Sequence, residues 1–154
     1  MSGLVPELSG IPGGLVLDGE LVAWQGIDPH FPSVCRRVLH RDTSIALTFV
    51  VFDVLRVEGA DVVGHPYLER RATLERLELE GPAWSTSVGF EDGHALFDAV
   101  CRHGLEGVVA KRHDSRYGSN ERGWVKVKNP SYWRRDSERE AMTRKHAPRS
   151  RSRV

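Results

Sequence analysis

The sequence predicts one α+β domain, in which β-strands and short amphipathic helices share a single core. The chain has 154 residues, a length that can bury roughly 68–70% of its unfolded surface around one core. Hydrophobic residues make up 40% of the chain and charged residues 28%, as in ordinary globular proteins and unlike disordered, collagen-like or membrane proteins. Strand-like and helix-like patterns alternate along the sequence, and each pattern predicts one element.

Two segments predict the main strands. Residues 15–24, LVLDGELVAW, alternate with a period of two, which puts Asp18 and Glu20 on the same face. Residues 45–55, IALTFVVFDVL, are almost continuously apolar, as expected for a strand buried on both faces at the centre of a sheet. Shorter strand patterns occupy residues 83–90, 107–111 and 123–128.

Three segments predict helices between these strands. Residues 31–39 are expected to form a short helix with Arg36 and Arg37 pointing outward. Residues 67–79 carry apolar side chains at near-helical spacing among Glu and Arg, which predicts an amphipathic surface helix. Residues 91–102 predict a third helix, with Gly104 as its left-handed C-terminal cap.

The charge is divided unevenly between the body and the end of the chain. The whole sequence has 22 Lys and Arg and 21 Asp and Glu, but eight basic and three acidic residues follow Trp133. We therefore expect residues 1–133 to be the folded part and residues 134–154 to be a basic, disordered tail. The slightly acidic body excludes a uniformly basic DNA-coating protein, although it leaves room for a local basic face.

Several functional classes are excluded by missing motifs. Cys35 and Cys101 stand far apart, which supports neither a disulfide framework nor a zinc ribbon and favours a reducing, cytoplasmic setting. The sequence has no secretory leader and no apolar run of about 18 residues, so it predicts neither export nor membrane insertion. It also contains no H-E-x-x-H, G-x-S-x-G, P-loop or G-x-G-x-x-G motif, which removes the usual zinc-enzyme, hydrolase and dinucleotide interpretations.

Acidic residues near strand ends are the first candidates for chemistry. Asp18 and Glu20 flank Gly19, which would let a ligand or another backbone approach the strand closely. In a functional interpretation, the two carboxylates would bind a pair of hydroxyl groups or a hydrated metal. The alternative is that they are ordinary solvated carboxylates at the rim of the strand. Glu106 opens the segment EGVVAKR, in which Lys111 stands at the other end of an apolar strand. The alternative there is a core strand with ordinary charged ends.

Basic and aromatic residues are the second group of candidates. Lys126 and Lys128 are two apart in WVKVK, so both ammonium groups project from one strand face, about 7 Å apart at their roots. Two like charges side by side favour an anion such as phosphate between them, unless the strand is simply a solvated edge. Phe52 in FVVFDVL is either a core aromatic or a platform on which a base stacks.

The order of these segments is more specific than any one of them. LDGELVAW, FVVFDVL, EGVVAKR and WVKVK follow one another in a way that resembles motifs III, IIIa, IV and V of the ATP-dependent DNA ligases. The resemblance extends from Gly14 to Trp133. It implies the fold of the adenylation domain of that family, a partial ATP-grasp-like nucleotidyltransferase with antiparallel β-sheets, packed helices and a nucleotide cleft. Residues 1–133 would be the C-terminal portion of such a domain.

The resemblance also implies cofactors, a partner and residue roles. The cofactors would be ATP and Mg²⁺, and the partner would be nicked double-stranded DNA, sealed in the cytoplasm during replication, recombination or repair. By this resemblance, Glu20 would contact the ribose or the metal, and Phe52 would stack on adenine. Glu106 would bind the catalytic cation. Lys126 and Lys128 would bind the phosphates, with Lys111 nearby.

The sequence departs from the family at the nucleophile. In this family the lysine of a K-x-D-G motif ahead of motif III forms a covalent lysine–AMP intermediate, and none of the four lysines here is followed by x-D-G. The chain is also too short after Trp133 to include an OB-fold. We therefore expect no self-adenylation unless a second polypeptide, or a longer form of the same gene product, supplies the lysine. Two alternatives stay open: a non-catalytic nucleotide- or DNA-binding remnant, and an RNA ligase or capping-type nucleotidyltransferase.

Overall fold

The computed structural model describes residues 8–26, 28–118 and 123–132. Its backbone divides into two compact units. The first unit combines Met1–Gly89 with Lys111–Gly123, and the second unit combines Phe90–Ala110 with Trp124–Val154. The predicted tail at 134–154 lies outside the described residues, and the boundary at residue 133 stays a prediction.

Helices and strands alternate in the described residues, as the sequence predicts. In chain order they are β1 (Val16–Val22), β2 (Trp24–Gln25), β3 (Asp28–Pro29), α1 (Phe31–Leu39), β4 (Thr48–Val57), β5 (Ala60–Asp61), α2 (Tyr67–Arg76), β6 (Trp84–Thr86), α3 (Gly93–Arg102), β7 (Gly107–Lys111) and β8 (Trp124–Lys128). The strand predicted at 83–90 is shorter than expected, and the helix predicted at 67–79 ends three residues early.

Strand β4 is the centre of the sheet in the first unit. It pairs with β1 along most of its length, and the two strands are antiparallel to each other. Strand β5 is also antiparallel to β4, whereas β6 is parallel to it. The predicted central strand and the predicted α+β class with antiparallel sheets are therefore confirmed. The parallel β4–β6 pair is an addition that the sequence patterns do not predict.

The pairing of β1 with β4 contains a bulge beside the D-G-E segment. Asp18 lies opposite Asp53, but the next residue, Gly19, lies opposite Val51. Phe52 is therefore an extra residue on β4 with no partner on β1. Bulges of this kind bend a strand and change the direction of a side chain, and they are frequent next to functional sites.

The core of the first unit forms where α2 covers β4. Its buried residues come from β4, α2, the segment that follows α2, and β6: Val51, Val54, Leu74, Leu79 and Trp84. The predicted surface helix is correct in outline, but its inward face differs from the prediction. Leu68 is 49% exposed, whereas Arg70 is completely buried. The inward face of α2 therefore includes a charge, because Arg70 has a buried partner described below.

Helix α1 exposes only one of its two arginines. Arg36 reaches Asp42, with 2.6 Å between the guanidinium and carboxylate atoms, whereas Arg37 is only 7% exposed. The prediction that both arginines point outward is thus wrong for Arg37. Neighbouring residues on a helix point about 100° apart, so one of them can face solvent while the other faces the protein.

The described part of the second unit contains α3, β8 and all of β7 except its last residue, Lys111. Strands β7 and β8 form a two-stranded sheet. The Asp92 side chain caps α3 by accepting a hydrogen bond of 2.9 Å from the backbone N–H of Ala95. Gly104 follows the helix with a φ of 64°, as expected of a left-handed residue at a helix end. Glu106 then leads directly into β7, which places it at the start of the sheet.

Candidate functional site

The structure distributes the six candidate residues over both units. Those of the first unit are Glu20, Phe52 and Lys111, and those of the second unit are Glu106, Lys126 and Lys128. Within the first unit, Phe52 and Lys111 are in contact, whereas Glu20 is exposed on β1 opposite Val50. Within the second unit all three residues are in contact.

Phe52 and Lys111 meet at the bulge of β4. The Lys111 Nζ lies 4.4 Å from the centroid of the Phe52 ring and 5.0 Å from that of the Tyr67 ring. At these distances an ammonium group is attracted by the negative face of an aromatic ring. The same Nζ donates a hydrogen bond of 3.4 Å to the Phe52 carbonyl. Phe52 is therefore a partly buried aromatic beside a cation, on a strand whose neighbouring residues form the core.

The surroundings of Lys111 change its ionisation. Burial lowers the pKa of Lys111 to about 8, and the nearby carboxylates of Asp53 and Asp18 partly oppose this shift. Burial in a poorly solvating environment disfavours the charged form of an amine. Lys111 is consequently a cation below about pH 8 and increasingly a neutral amine above it.

Arg70 joins three segments of the first unit through buried contacts. It donates two hydrogen bonds of 2.9 Å to the two carboxylate oxygens of Asp53 on β4. It also donates to the carbonyl of His65 at 2.6 Å and to that of Ser115 at 3.1 Å. Asp53 and Arg70 are both 0% exposed, so every charge is compensated by a partner, as buried ions require.

Two tyrosines complete this buried arrangement. The Arg70 guanidinium lies 5.8 Å from the Tyr67 ring and 5.7 Å from the Tyr117 ring. Tyr117 donates a hydrogen bond of 2.7 Å to Asp18 Oδ2, which is the main cause that raises the pKa of Tyr117 to about 12. Neither tyrosine was a sequence candidate, because their contacts join residues far apart in the chain. Asp53 within an apolar strand was the one available signal, since a buried acid requires a partner.

Gly19 of the D-G-E segment serves packing within the protein. A Cβ at this position would lie 2.6 Å from the Val50 carbonyl oxygen and 2.7 Å from the Phe49 ring. A side chain would therefore displace either the β4 backbone or an aromatic ring. The close approach expected at this glycine is made by the neighbouring strand.

Glu106, Lys126 and Lys128 form an ion-pair network that we call the Glu106 clamp. Glu106 Oε1 lies 2.7 Å from the Lys126 Nζ and 3.5 Å from the Lys128 Nζ. The hydrogen bond with Lys126 is the main cause that lowers the pKa of Glu106. The anion that the lysine pair was expected to need is thus supplied, in this structure, by a carboxylate of the protein itself.

The backbone around Glu106 is tied to the end of β8. The buried Asn129 donates its backbone N–H to the Glu106 carbonyl at 2.8 Å and its side-chain amide to the Leu105 carbonyl at 3.0 Å. A Cβ on Gly107, whose φ is 155°, would lie 2.2 Å from the Val127 carbonyl oxygen. The two strands can approach this closely only because residue 107 is glycine, and the approach brings Glu106 within reach of both lysines.

The clamp has the donor types for a divalent cation that arrives with phosphate. Among residues 8–26, 28–118 and 123–132, no three His, Cys, Asp or Glu side chains group to hold a metal. Mg²⁺, however, is usually bound by one or two carboxylates, waters and the phosphates of the substrate. Glu106 offers one carboxylate, and the lysines offer cations for phosphate. The residues present therefore fit a nucleotide-bound Mg²⁺ rather than a separate protein-only metal site.

Comparison with protein families identifies the chain. The family described as "ATP dependent DNA ligase domain" matches residues 7–128. The chain belongs to this family. All four segments that resemble ligase motifs lie inside the matched range, so the family predicted from their order is confirmed.

Curated relatives of this ATP-dependent DNA ligase domain carry ligase names. The SPbeta prophage-derived DNA ligase-like protein LigB of Bacillus subtilis (strain 168) is 37% identical over 133 residues, which cover 82% of this chain and 49% of that protein. The multifunctional non-homologous end joining DNA repair protein LigD of Mycobacterium tuberculosis is 37% identical over 118 residues, which cover 75% and 15%. The chain therefore spans about half the length of LigB and a smaller part of LigD.

Solved structures confirm the nucleotidyltransferase fold of this ligase domain. The ligase domain of M. tuberculosis LigD matches with a TM-score of 0.65 at 32% identity, covering 83% of this chain and 43% of that one. A mycobacterial DNA ligase D complexed with ATP and MES matches with a TM-score of 0.64 at 33% identity, covering 82% and 43%. In the described part of this chain, no helix combines the length and apolarity needed to cross a membrane.

Proposed function

We propose that this chain forms the part of an ATP-dependent DNA ligase adenylation domain that binds ATP together with Mg²⁺. The observation that carries the proposal is the Glu106 clamp, in which two lysines lie within 3.5 Å of one carboxylate oxygen. A carboxylate for the cation and two ammonium groups for the phosphates are the donors that a magnesium nucleotide needs. The structural relative complexed with ATP supports this assignment.

The first unit would bind the base and the ribose. Phe52 offers a partly buried ring, and base stacking on such a ring contributes roughly 1–3 kcal/mol. Lys111 lies beside that ring and would carry a positive charge toward the phosphates below about pH 8. Glu20, exposed on β1, would accept a hydrogen bond from the ribose or bind the metal.

The activity proposed for the complete enzyme is the sealing of nicked double-stranded DNA. Its first step requires a lysine amine that attacks the α-phosphate of ATP, forms a phosphorus–nitrogen bond and releases pyrophosphate. Bound Mg²⁺ would neutralise phosphate charge during this step. Because no lysine of this sequence lies in K-x-D-G, we propose that a second polypeptide, or a longer form of this gene product, supplies it.

The cellular role proposed is DNA repair. The LigD relative is named for non-homologous end joining and DNA repair, and the nick-sealing chemistry would also serve replication and recombination. We place this role in the cytoplasm, because Cys35 and Cys101 are both free thiols and a reducing compartment keeps thiols in that state.

Nucleotide binding to the purified chain tests the proposal. We expect calorimetric titration with Mg²⁺ to show binding of ATP in preference to GTP, and Lys126→Ala to weaken ATP binding about tenfold, the loss of one charge-assisted contact. Lys145→Ala, outside the family match, is the matched control and should bind like the unmodified protein. A preference for GTP would favour a capping-type nucleotidyltransferase, and equal affinity of both lysine variants would refute the phosphate assignment.

A further inference from the structure

The Glu106 clamp satisfies the lysine pair from within the protein. Its side chains are partly exposed, 37% for Glu106, 51% for Lys126 and 47% for Lys128. Ions and ligands can therefore reach all three groups from solvent. Without a ligand, the negative charge between the lysines is the carboxylate itself, and any incoming anion has to replace it.

A phosphate and a cation are each opposed when they arrive alone. A metal-free phosphate that enters between the lysines meets the Glu106 carboxylate within hydrogen-bonding range, and like charges repel at such distances. A bare Mg²⁺ that approaches Glu106 Oε1 meets an ammonium group already 2.7 Å away, whereas Mg²⁺ itself needs the oxygen at 2.0–2.1 Å. When both arrive together, the cation pairs with the carboxylate and the phosphate pairs with the lysines.

The carboxylate cannot avoid this competition by a shift of its strand. Asn129 bonds to the backbone carbonyls of Glu106 and Leu105, and Gly107 packs against the Val127 backbone. Glu106 can move away from the lysines only by rotating its side chain. Such a rotation gives up the ion pairs with both lysines, so the carboxylate and a phosphate compete for the same two ammonium groups.

We propose that Glu106 is a specificity-determining residue that makes the second unit reject metal-free polyphosphate and accept polyphosphate that carries a divalent cation. The proposal rests on the proposed function, in which the lysines bind phosphate and Glu106 binds the cation. Linkage requires the effect to be reciprocal, so the cation strengthens phosphate binding and phosphate strengthens cation binding by the same factor.

The phosphate side is tested by calorimetric titration of ATP into the purified chain and its Glu106→Gln variant, in Mg²⁺ and in EDTA. In EDTA we expect Glu106→Gln to bind ATP about tenfold more tightly than the unmodified protein. A tenfold change lies within the usual range for coupling between two bound ligands. Mg²⁺ should improve binding about tenfold for the unmodified protein and much less for the variant. Asp98→Asn removes the same charge from an exposed position on α3 and should behave like the unmodified protein.

The cation side is tested without nucleotide, by electron paramagnetic resonance of Mn²⁺. Lys126→Ala removes the ammonium group that competes for Glu106 Oε1, so the variant should bind Mn²⁺ several-fold more tightly than the unmodified protein. The double variant Lys126→Ala/Glu106→Gln should lose this gain, which would assign the gain to the carboxylate.

The outcomes separate this inference from the proposed function. If ATP binds, and Glu106→Gln neither improves binding in EDTA nor reduces the effect of Mg²⁺, the inference is wrong and the proposed function stands. If Asp98→Asn matches Glu106→Gln, the effect is one of net charge and the inference is again wrong. If ATP binds to none of the proteins in either buffer, both proposals fall.

Discussion

The Phe52 side chain is partly buried, at the boundary between the core and the solvent. It is the extra residue of a bulge on β4, between Val51 and Asp53, which are both completely buried. Its ring faces the ammonium group of Lys111 at 4.4 Å. This combination of a rigid strand, partial burial and a neighbouring cation is what an adenine platform beside a phosphate site requires.

Phe52→Leu tests whether the ring binds a base. Leucine keeps most of the apolar volume, so we expect a stability loss below about 1.5 kcal/mol but about tenfold weaker ATP binding, because the flat ring is lost. Thermal unfolding and calorimetric titration of the same samples measure the two effects. A large drop in melting temperature with unchanged ATP affinity would assign Phe52 to the core.

Lys111 should make ATP binding depend on pH. Its pKa of about 8 means that the ammonium form, which attracts phosphate, disappears as the pH rises through 8. ATP affinity should therefore fall between about pH 7 and pH 9. Lys111→Arg keeps its charge over this range and should remove the pH dependence. A profile that is identical in the two proteins would show that Lys111 does not contact the nucleotide.

Helix α2 and strand β4 are held together by apolar packing and by one buried ion pair. The sequence predicts both elements, because their apolar patterns are local. It does not predict the bulge at Phe52, which depends on the register with β1. It also does not reveal Arg70, because the partners of that side chain lie 17 and 45 residues away in the chain. A helical pattern of Glu and Arg predicts a solvated face unless those distant partners are known.

Arg70→Met should strongly destabilise the first unit. The change leaves the Asp53 carboxylate buried without its partner, and the loss of one member of a buried pair costs about 3–5 kcal/mol. Urea unfolding measures the difference. Arg76→Met on the exposed part of α2 is the control and should cost less than about 0.5 kcal/mol.

Replacing both partners distinguishes an ion-pair effect from a general packing effect. Because two apolar side chains of similar size often replace a buried pair at little cost, Asp53→Leu/Arg70→Met should recover much of the stability lost in Arg70→Met. A double variant that is no more stable than Arg70→Met would show that the arginine contacts to the carbonyls of His65 and Ser115 dominate instead.

At the scale of the whole chain, the order of four short motifs predicted the family, and the comparisons confirm it. The candidate residues fall into two sets, with the residues proposed for the base and ribose in the first unit and the clamp in the second. The clamp was predicted only in part. The spacing of Lys126 and Lys128 indicated an anion between them, but the identity of that anion as Glu106 depends on how β7 pairs with β8.

The absence of a K-x-D-G motif from this sequence leads to the last prediction. With labelled ATP and Mg²⁺, the chain alone should retain no acid-labile AMP, because none of its four lysines lies in a K-x-D-G motif. Addition of a polypeptide that carries K-x-D-G should place AMP on that polypeptide, and Glu106→Gln in this chain should reduce the amount. Near-stoichiometric AMP on the chain alone would contradict the prediction. Lys111 would then be the suspected nucleophile, since it is partly neutral near pH 8, and loss of the label in Lys111→Arg would identify it.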